Sequence, residues 1–381
     1  MAQDRQRPPD EELDRIYSRR IRPDLLEHVD RSTQPTAVLI GGQPGAAKTY
    51  TMAQVRAHLA KTVGPFVVVS GDELRQYHPQ WQANIDPNGF PNAASVQQDI
   101  GRWYARLTTD AIAKRANIIL VTSMRQPEAA LALATRLKDA AYEVSLVILA
   151  SNRDQSRQAT LTLYDVARSV GDVPFFVPAP HHDDAYDKLR ESLSRLETSG
   201  YVDRIQVVAR DGRQLYANET EGQHWAREPR ATYVLDDFRE RRLTARELAD
   251  SALRWHTLAQ RLASDPTVPR EVASQAIRWR NESSAEAERD PQAKQMLEWG
   301  REAEAFRTLA RHLFLREFPQ HAKAVERLEE AMSYAEKTIE NASDRERFVA
   351  QARDRLAQRI AEGRFAAPAV AKTREREPKA R

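Results

Sequence analysis

The chain has 381 residues, a net charge of only +3 and no cysteine. Its length allows two domains, or one with a large extension; the missing cysteines exclude disulfides, thiolate catalysis and cysteine–zinc sites, and the near-balanced charge gives no sign of a diffuse grip on nucleic acid. Apolar residues make up 41% and charged residues 30%, which suits a globular core carrying a surface-rich helical extension.

Residues 10–30 (DEELDRIYSRRIRPDLLEHVD) carry Leu13, Ile16, Leu25 and Leu26 among charges and predict a helical lead-in interrupted near Pro23. TAVLIG (36–41), a short apolar run ending in glycine, predicts a buried strand, followed by a helix over about 49–61. PFVVVS (65–70) is a second strand, rich in β-branched residues. Helical spacing of Val96, Ile100, Trp103, Leu107 and Ile112 marks 94–116, and NIILVTS (117–123) is a third strand. A helix over 126–141, a fourth strand over 142–150, and helices over 153–170 and 183–199 follow. YVDRIQVVAR (201–210), with Asp211-Gly212 behind it, reads as a final strand or hairpin. The alternation implies an α/β fold with a mainly parallel sheet.

From about Trp225 the character changes. Only two glycines, Gly300 and Gly363, remain before the end, and helix formers dominate between Pro266, Pro269, Pro291 and Pro319. An all-α extension is expected, its last helix over about 343–362, with Ser343 and Glu346 as a capping box. The expected domains are a lead-in (1–34), an α/β domain (35–222), a helical region (223–365) and a basic disordered tail (366–381). No run reaches the roughly 18 apolar residues of a membrane span, and MAQDRQRPPDEE has no apolar export core.

GGQPGAAKTY (41–50) nearly spells the phosphate-cradling loop G-x-x-x-x-G-K-[ST] and lies between a strand and a helix. There, helix N-terminal N–H groups and the helix dipole favour phosphate. Gly42, Gln43, Pro44, Gly45, Ala46, Ala47, Lys48 and Thr49 are the candidate nucleotide-binding residues. Lys48 would reach the β- and γ-phosphates, and the Thr49 hydroxyl would ligate Mg²⁺. Ala47 stands where the pattern has glycine; one residue before the lysine, it is expected near helical φ/ψ, where a methyl is tolerated. In VVVSGDELRQYHP (67–79), Asp72 falls at the carboxyl end of a strand, where ligands gather in an open parallel sheet. It could act as a general base or cap a helix starting at Glu73. His78 before Pro79 could position a substrate or merely make a turn.

GGQPGAAKT followed by VVVSGDELRQYHP resembles the zeta toxin family of bacterial toxin–antitoxin kinases, whose pattern is GGQPGSGK[ST], a strand, a D-x-[FL]-[RK] step and H-P. The resemblance covers about 36–215 and is topological in its later part. It implies a P-loop NTPase-like domain that uses ATP or GTP with Mg²⁺ to phosphorylate the 3′-hydroxyl of UDP-N-acetylglucosamine, starving peptidoglycan synthesis, and a small helical antitoxin as partner. It implies phosphate and Mg²⁺ roles for Lys48 and Thr49, and general base for Asp72. Asp110, Ser123 and Arg125 align with the family's sugar-nucleotide contacts. Two departures stand out. Val121 or Thr122 replaces a family glutamate, and Leu163 and Phe176 fall where the family clamps the phosphoryl group with arginines. Arg157 and Arg168, which share a helical face, are candidates for a shifted clamp.

The adjacent pairs of HHDD (181–184) point apart, so a shared metal is not favoured over a solvated loop capping the helix at 185–199. The tail from Lys372 to Arg381, with five basic and two acidic residues, is a weak sign of an acidic partner, nucleic acid or secretion machinery. The expectation is a kinase in the bacterial cytoplasm, delivery to another cell being left open, with no membrane partner. The alternatives are a kinase of another nucleotide-type acceptor, such as NAD or a nucleic-acid end, and a nucleotide-binding module whose catalysis has decayed.

Overall fold

The computed structural model describes residues 7–83 and 93–365; the tail expected at 366–381 lies outside them. The chain divides into two compact units, Met1–Arg242 with Thr257–Arg280, and Leu243–His256 with Asn281–Arg381.

In the first unit, α1 (Asp10–Ile16) continues through two wider i→i+5 turns, Tyr17–Ile21 and Pro23–Glu27. The expected break at Pro23 does not occur: Arg22 keeps helical dihedrals (φ −63°, ψ −49°), and proline is accommodated where the two wider turns meet. Then come β1 (Thr36–Gly41), α2 (Lys48–Thr62), β2 (Val67–Ser70), α3 (Gly71–Arg75), α4 (Pro79–Ala83), α5 (Ala93–Lys114), β3 (Ile118–Thr122), α6 (Pro127–Asp139) and β4 (Glu143–Ala150). They are followed by α7 (Arg153–Ser169), α8 (Ala179–Thr198), β5 (Arg204–Ala209), β6 (Gln214–Glu221), β7 (His224–Trp225) and α9 (Ala231–Glu240).

The sheet order is β2-β3-β1-β4-β5-β6-β7. The first five strands in this order are parallel; β6 folds back antiparallel to β5 through the expected Asp211-Gly212 turn, and β7 pairs antiparallel with β6. Side-chain alternation along β1 feeds two cores. Ala37 and Leu39 join the larger one with α5, α6 and the lead-in helix, while Val38 and Ile40 join the smaller one with Met52 of α2.

α8 starts at Ala179, four residues before its expected start, because Pro178 caps it and Pro180 occupies the first turn, whose N–H groups need no intrahelical partner. HHDD is therefore helical rather than a solvated loop.

Two helices, α10 (Ala245–Ser264) and α11 (Arg270–Arg289), contribute residues to both units. The second unit also holds α12 (Pro291–Thr308), α13 (Arg311–Glu317), α14 (Ala322–Thr338) and α15 (Ala342–Ala361). Asp290 caps α12, accepting hydrogen bonds from the Gln292 and Ala293 N–H groups, with Pro291 at the first position. α15 is capped by Asn341, whose side chain accepts from the Asp344 N–H. Ser343 lies inside the first turn, so the expected capping box is not formed. The core of this unit centres on Phe314, its ring 5.0 Å from Phe306 and 5.1 Å from Phe318.

Candidate active site

The parallel register brings three chemistry-bearing loops out side by side. Ile40 of β1 pairs with Val121 of β3, and Val121 with Ser70 of β2. The residues just beyond these ends are Gly42–Lys48, Gly71-Asp72 and Ser123–Arg125. Strand spacing separates the outer two by about 10 Å.

The first loop wraps around its own lysine. Lys48 Nζ donates to the carbonyls of Gly42 (2.7 Å) and Gln43 (3.0 Å). Burial lowers the Lys48 pKa to about 8, with nearby Asp72 opposing the shift and Arg75 adding to it. Gly45 has φ +78°, and a Cβ there would sit closer than 3.0 Å to the Ser156 carbonyl oxygen, so a side chain is excluded twice over. Ala47 corrects the sequence expectation: it lies in the left-handed region (φ 75°, ψ 31°), not near helical values. As N-cap of α2, Ala47 offers no side-chain acceptor, which leaves the first-turn N–H groups to a ligand. Thr49 is exposed in that first turn, while Ala46 is buried and Pro44 partly so.

The fully buried Gln43 ties this loop to its surroundings. Its Nε2 donates to the Ser151 carbonyl (3.2 Å) and Ser156 Oγ (3.3 Å), and its Oε1 accepts from Arg239 Nη2 (3.0 Å). Arg210, at the end of β5, donates to the Gly45 carbonyl at 2.5 Å.

Asp72 is not a helix cap. Ser70 caps α3 by accepting from the Asp72 N–H, which leaves the exposed Asp72 carboxylate to pair with Arg75. The Arg75 guanidinium is held 4.1 Å from the Phe175 ring centroid and 5.4 Å from that of Trp81.

Ser123 and Arg125 line a cavity of about 450 Å³ between α5, the loop after β3 and the start of α6. Tyr104, whose buried hydroxyl has no hydrogen-bond partner, also lines it, as do Thr108 and Arg136. Arg125 lies 3.0 Å from His181 Nδ1 and 3.5 Å from Asp184. Burial, then the Arg125 and Lys48 charges, depress the His181 pKa, so His181 stands within electrostatic reach of the phosphate loop.

The zeta toxin family profile matches residues 23–221, just over half of the chain. The chain belongs to the zeta toxin family. These are kinase-like toxins of toxin–antitoxin systems. It is 27% identical over 208 residues to toxin PezT of Streptococcus pneumoniae, covering 54% of this chain and 81% of that one. It is 25% identical over 202 residues to toxin zeta of Enterococcus hirae, covering 51% and 68%. The fold resembles the solved PezAT chromosomal toxin–antitoxin system of S. pneumoniae, with TM-score 0.54, 24% identity, and coverage of 66% of this chain and 98% of that chain.

Within this zeta toxin fold, three expected contacts are engaged elsewhere. His78 is a correction: it is 2% exposed, with Nδ1 accepting from the Gln80 N–H, Nε2 3.4 Å from Asp99, and its ring 5.6 Å from Trp103. It anchors the α3–α4 turn and offers no atom to a substrate. Asp110 accepts from the Tyr17 hydroxyl (2.6 Å) and pairs with Arg22 (3.6 Å), so the lead-in helix already uses this carboxylate. The shifted clamp is also corrected. Arg157 and Arg168 do share a face of α7, but eleven residues of helix separate them by about 16 Å, too far to hold one phosphoryl group. Arg157 pairs with Asp183 (2.6 Å) and Arg168 with Asp265 (2.9 Å). Leu163 is 64% exposed, and Phe176 is buried.

Sequence reasoning missed His181, Arg75, Arg210 and Arg239. The first two sit in stretches it had marked, HHDD and GDELR, where a start of α8 at Ala179 and a role for the basic residue of the D-x-[FL]-[RK] step would have found them. The other two carry no local signal, since only folding brings β5 and α9 to the loop.

Proposed function

We propose that this chain is a kinase that transfers the γ-phosphoryl group of ATP or GTP to the 3′-hydroxyl of UDP-N-acetylglucosamine. The observation that carries the reading is the emergence, from neighbouring ends of β1, β2 and β3, of a phosphate loop, an exposed carboxylate at Asp72, and a polar cavity at Ser123 and Arg125. A phosphate donor, a base and an acceptor then meet at one sheet edge.

The loop fits a triphosphate and its metal. A Cβ is barred at Gly45, the α2 N-terminus has no side-chain cap, and Lys48 points into the loop. Thr49 would hold Mg²⁺, which neutralises charge on the phosphate oxygens when bound. Lys48 leaves its two carbonyls for the β- and γ-phosphate oxygens. Asp72 takes the proton of the acceptor hydroxyl as its oxygen bonds to the γ-phosphorus. The β–γ bridging P–O bond breaks, and the nucleoside diphosphate leaves. Arg75 orients the Asp72 carboxylate. The unpartnered Tyr104 hydroxyl supports a polar ligand in the cavity. ATP and the sugar nucleotide place the action in the bacterial cytoplasm, and a small helical antitoxin as partner is supported by the solved toxin–antitoxin relative.

A second reading, slow or absent transfer with nucleotide binding intact, is favoured by the engagement of Arg157 and Arg168 with carboxylates away from the loop. A nucleotide-type acceptor other than the amino sugar is favoured by Val121-Thr122 in place of an acidic residue. Phosphorus NMR of protein, Mg²⁺-ATP and UDP-N-acetylglucosamine separates these readings. A new phosphomonoester signal, absent with Lys48→Ala and Asp72→Ala, is the expected result. Its absence despite ATP binding refutes the acceptor assignment, and a screen of other nucleotide-type hydroxyls then separates a different acceptor, which gives a product, from absent transfer, which gives none.

A further inference from the structure

Arg239 lies on α9, beyond the residues 23–221 that the family profile matches. It is 7% exposed and reaches the phosphate loop from behind. Nη2 donates to Gln43 Oε1 at 3.0 Å and Nη1 to the Tyr186 carbonyl at 2.9 Å, while Nε is buried without a partner. Its guanidinium carbon stands 4.0 Å from the Tyr186 ring centroid, and that of Arg153 stands 4.3 Å from the same ring.

What this arginine lacks is an anion. A buried guanidinium stays charged and is ordinarily paired with a carboxylate. Arg239 forms no ion pair among the described residues. The acids that act on it from a distance, Asp236 and Asp187, are bound by Arg190 and Arg153 respectively. Its one contact with the loop is Gln43, whose own carbonyl is an acceptor of Lys48.

We propose that Arg239 is a positioning residue for nucleotide binding, which fixes Gln43 so that the loop keeps its aim and whose buried charge is balanced by the phosphates of the bound nucleotide. The inference rests on the nucleotide-binding reading of the loop. It assigns to α9 a brace on the phosphate site, so that a segment outside the family match completes the loop's support.

The test compares wild type, Lys48→Ala, Arg239→Met and Arg239→Lys in the full chain, by calorimetric titration with Mg²⁺-ATP and by thermal unfolding without nucleotide. Arg239→Met is expected to weaken ATP binding on the order of tenfold, with the unfolding temperature of the free protein close to that of wild type, because the loss of two hydrogen bonds is offset by removal of a buried charge that has no carboxylate partner. Arg239→Lys is expected to fall between wild type and Met. A purely structural residue would lose stability first, and binding only in step with it. Wild-type ATP affinity in Arg239→Met, or a loss of affinity that merely tracks a fall in unfolding temperature, overturns the proposal. Should the Met variant not fold, the Lys variant decides: folded with weakened binding supports the brace, and folded with wild-type binding refutes it. If wild type binds no nucleotide, the loop reading itself fails and this inference with it.

Discussion

Two neighbouring positions of the phosphate loop share a left-handed backbone but carry opposite residues, so they should respond in opposite directions to exchange. Ala47 has φ 75°, Gly45 φ 78°. An L-residue in this region is disfavoured by about 1–2 kcal/mol through its Cβ, and glycine gives back part of that by its freedom in the unfolded chain. Ala47→Gly should therefore stabilise by about 1 kcal/mol, raising the unfolding temperature by about 2–3 °C for a domain of this size. At Gly45 a Cβ meets the same backbone penalty and also the Ser156 carbonyl oxygen, closer than 3.0 Å. Gly45→Ala should destabilise by about 3 kcal/mol or more, since the clash is with backbone and not with a side chain that can swing away. Differential scanning calorimetry of the two variants without nucleotide measures both. Equal shifts of the same sign, or a fall in stability for Ala47→Gly, would refute the assignment of Ala47 to the left-handed region.

Asp72→Asn should lower phosphoryl transfer by about 10²–10⁴-fold with ATP affinity retained, read by single-turnover kinetics beside nucleotide titration; an equal loss of both would deny it the role of base. The Lys48 amine, with its pKa lowered to about 8 by burial, loses its charge as the solution passes that pH. ATP affinity of the wild type should then decline between pH 7 and 9.5, and that of Lys48→Arg should not. His182 is fully buried between Ser156 (2.9 Å) and Asp183 (2.9 Å), and burial lowers its pKa from 6.5 to about 4. The unfolded chain thus binds the proton more readily, so stability is full above pH 6.5 and falls as the solution is acidified toward pH 4. Unfolding temperature against pH should be flatter in that window for His182→Gln than for wild type.

Much of the architecture was legible because it rests on short-range signals. The apolar run 36–41, the β-branched strand at 67–70 and the Asp211-Gly212 turn each specify a local conformation, and strand–helix alternation then leaves little but a parallel sheet. The places of Lys48 and Asp72 were legible for the same reason: the loop Gly42–Ala47 that leads into Lys48 and the pair Gly71-Asp72 each follow a strand, so their position at the carboxyl edge is set by connectivity. The helix start at Ala179 was missed because HHDD was read as a solvated loop, although Pro178 and Pro180 ahead of it suit the start of a helix. Ala47 was misplaced because a single φ in a tight loop depends on how the loop closes on Lys48 and Gln43, which no local pattern encodes.

By itself, the sequence determined the α/β class, the phosphate loop between its strand and helix, and the family to which the chain belongs. Each of these rests on residue order and spacing along a few consecutive positions. Only the tertiary structure decided what each remaining polar side chain touches. It turned His78 inward onto Asp99, engaged Asp110 with Tyr17, and separated Arg157 from Arg168 along one helix. It also brought His181 of α8 to Arg125, and Arg210, just beyond β5, and Arg239 of α9 to the loop. The physical reason is that a hydrogen bond or ion pair depends on distances of about 3 Å between groups far apart in the chain, and packing alone sets those distances.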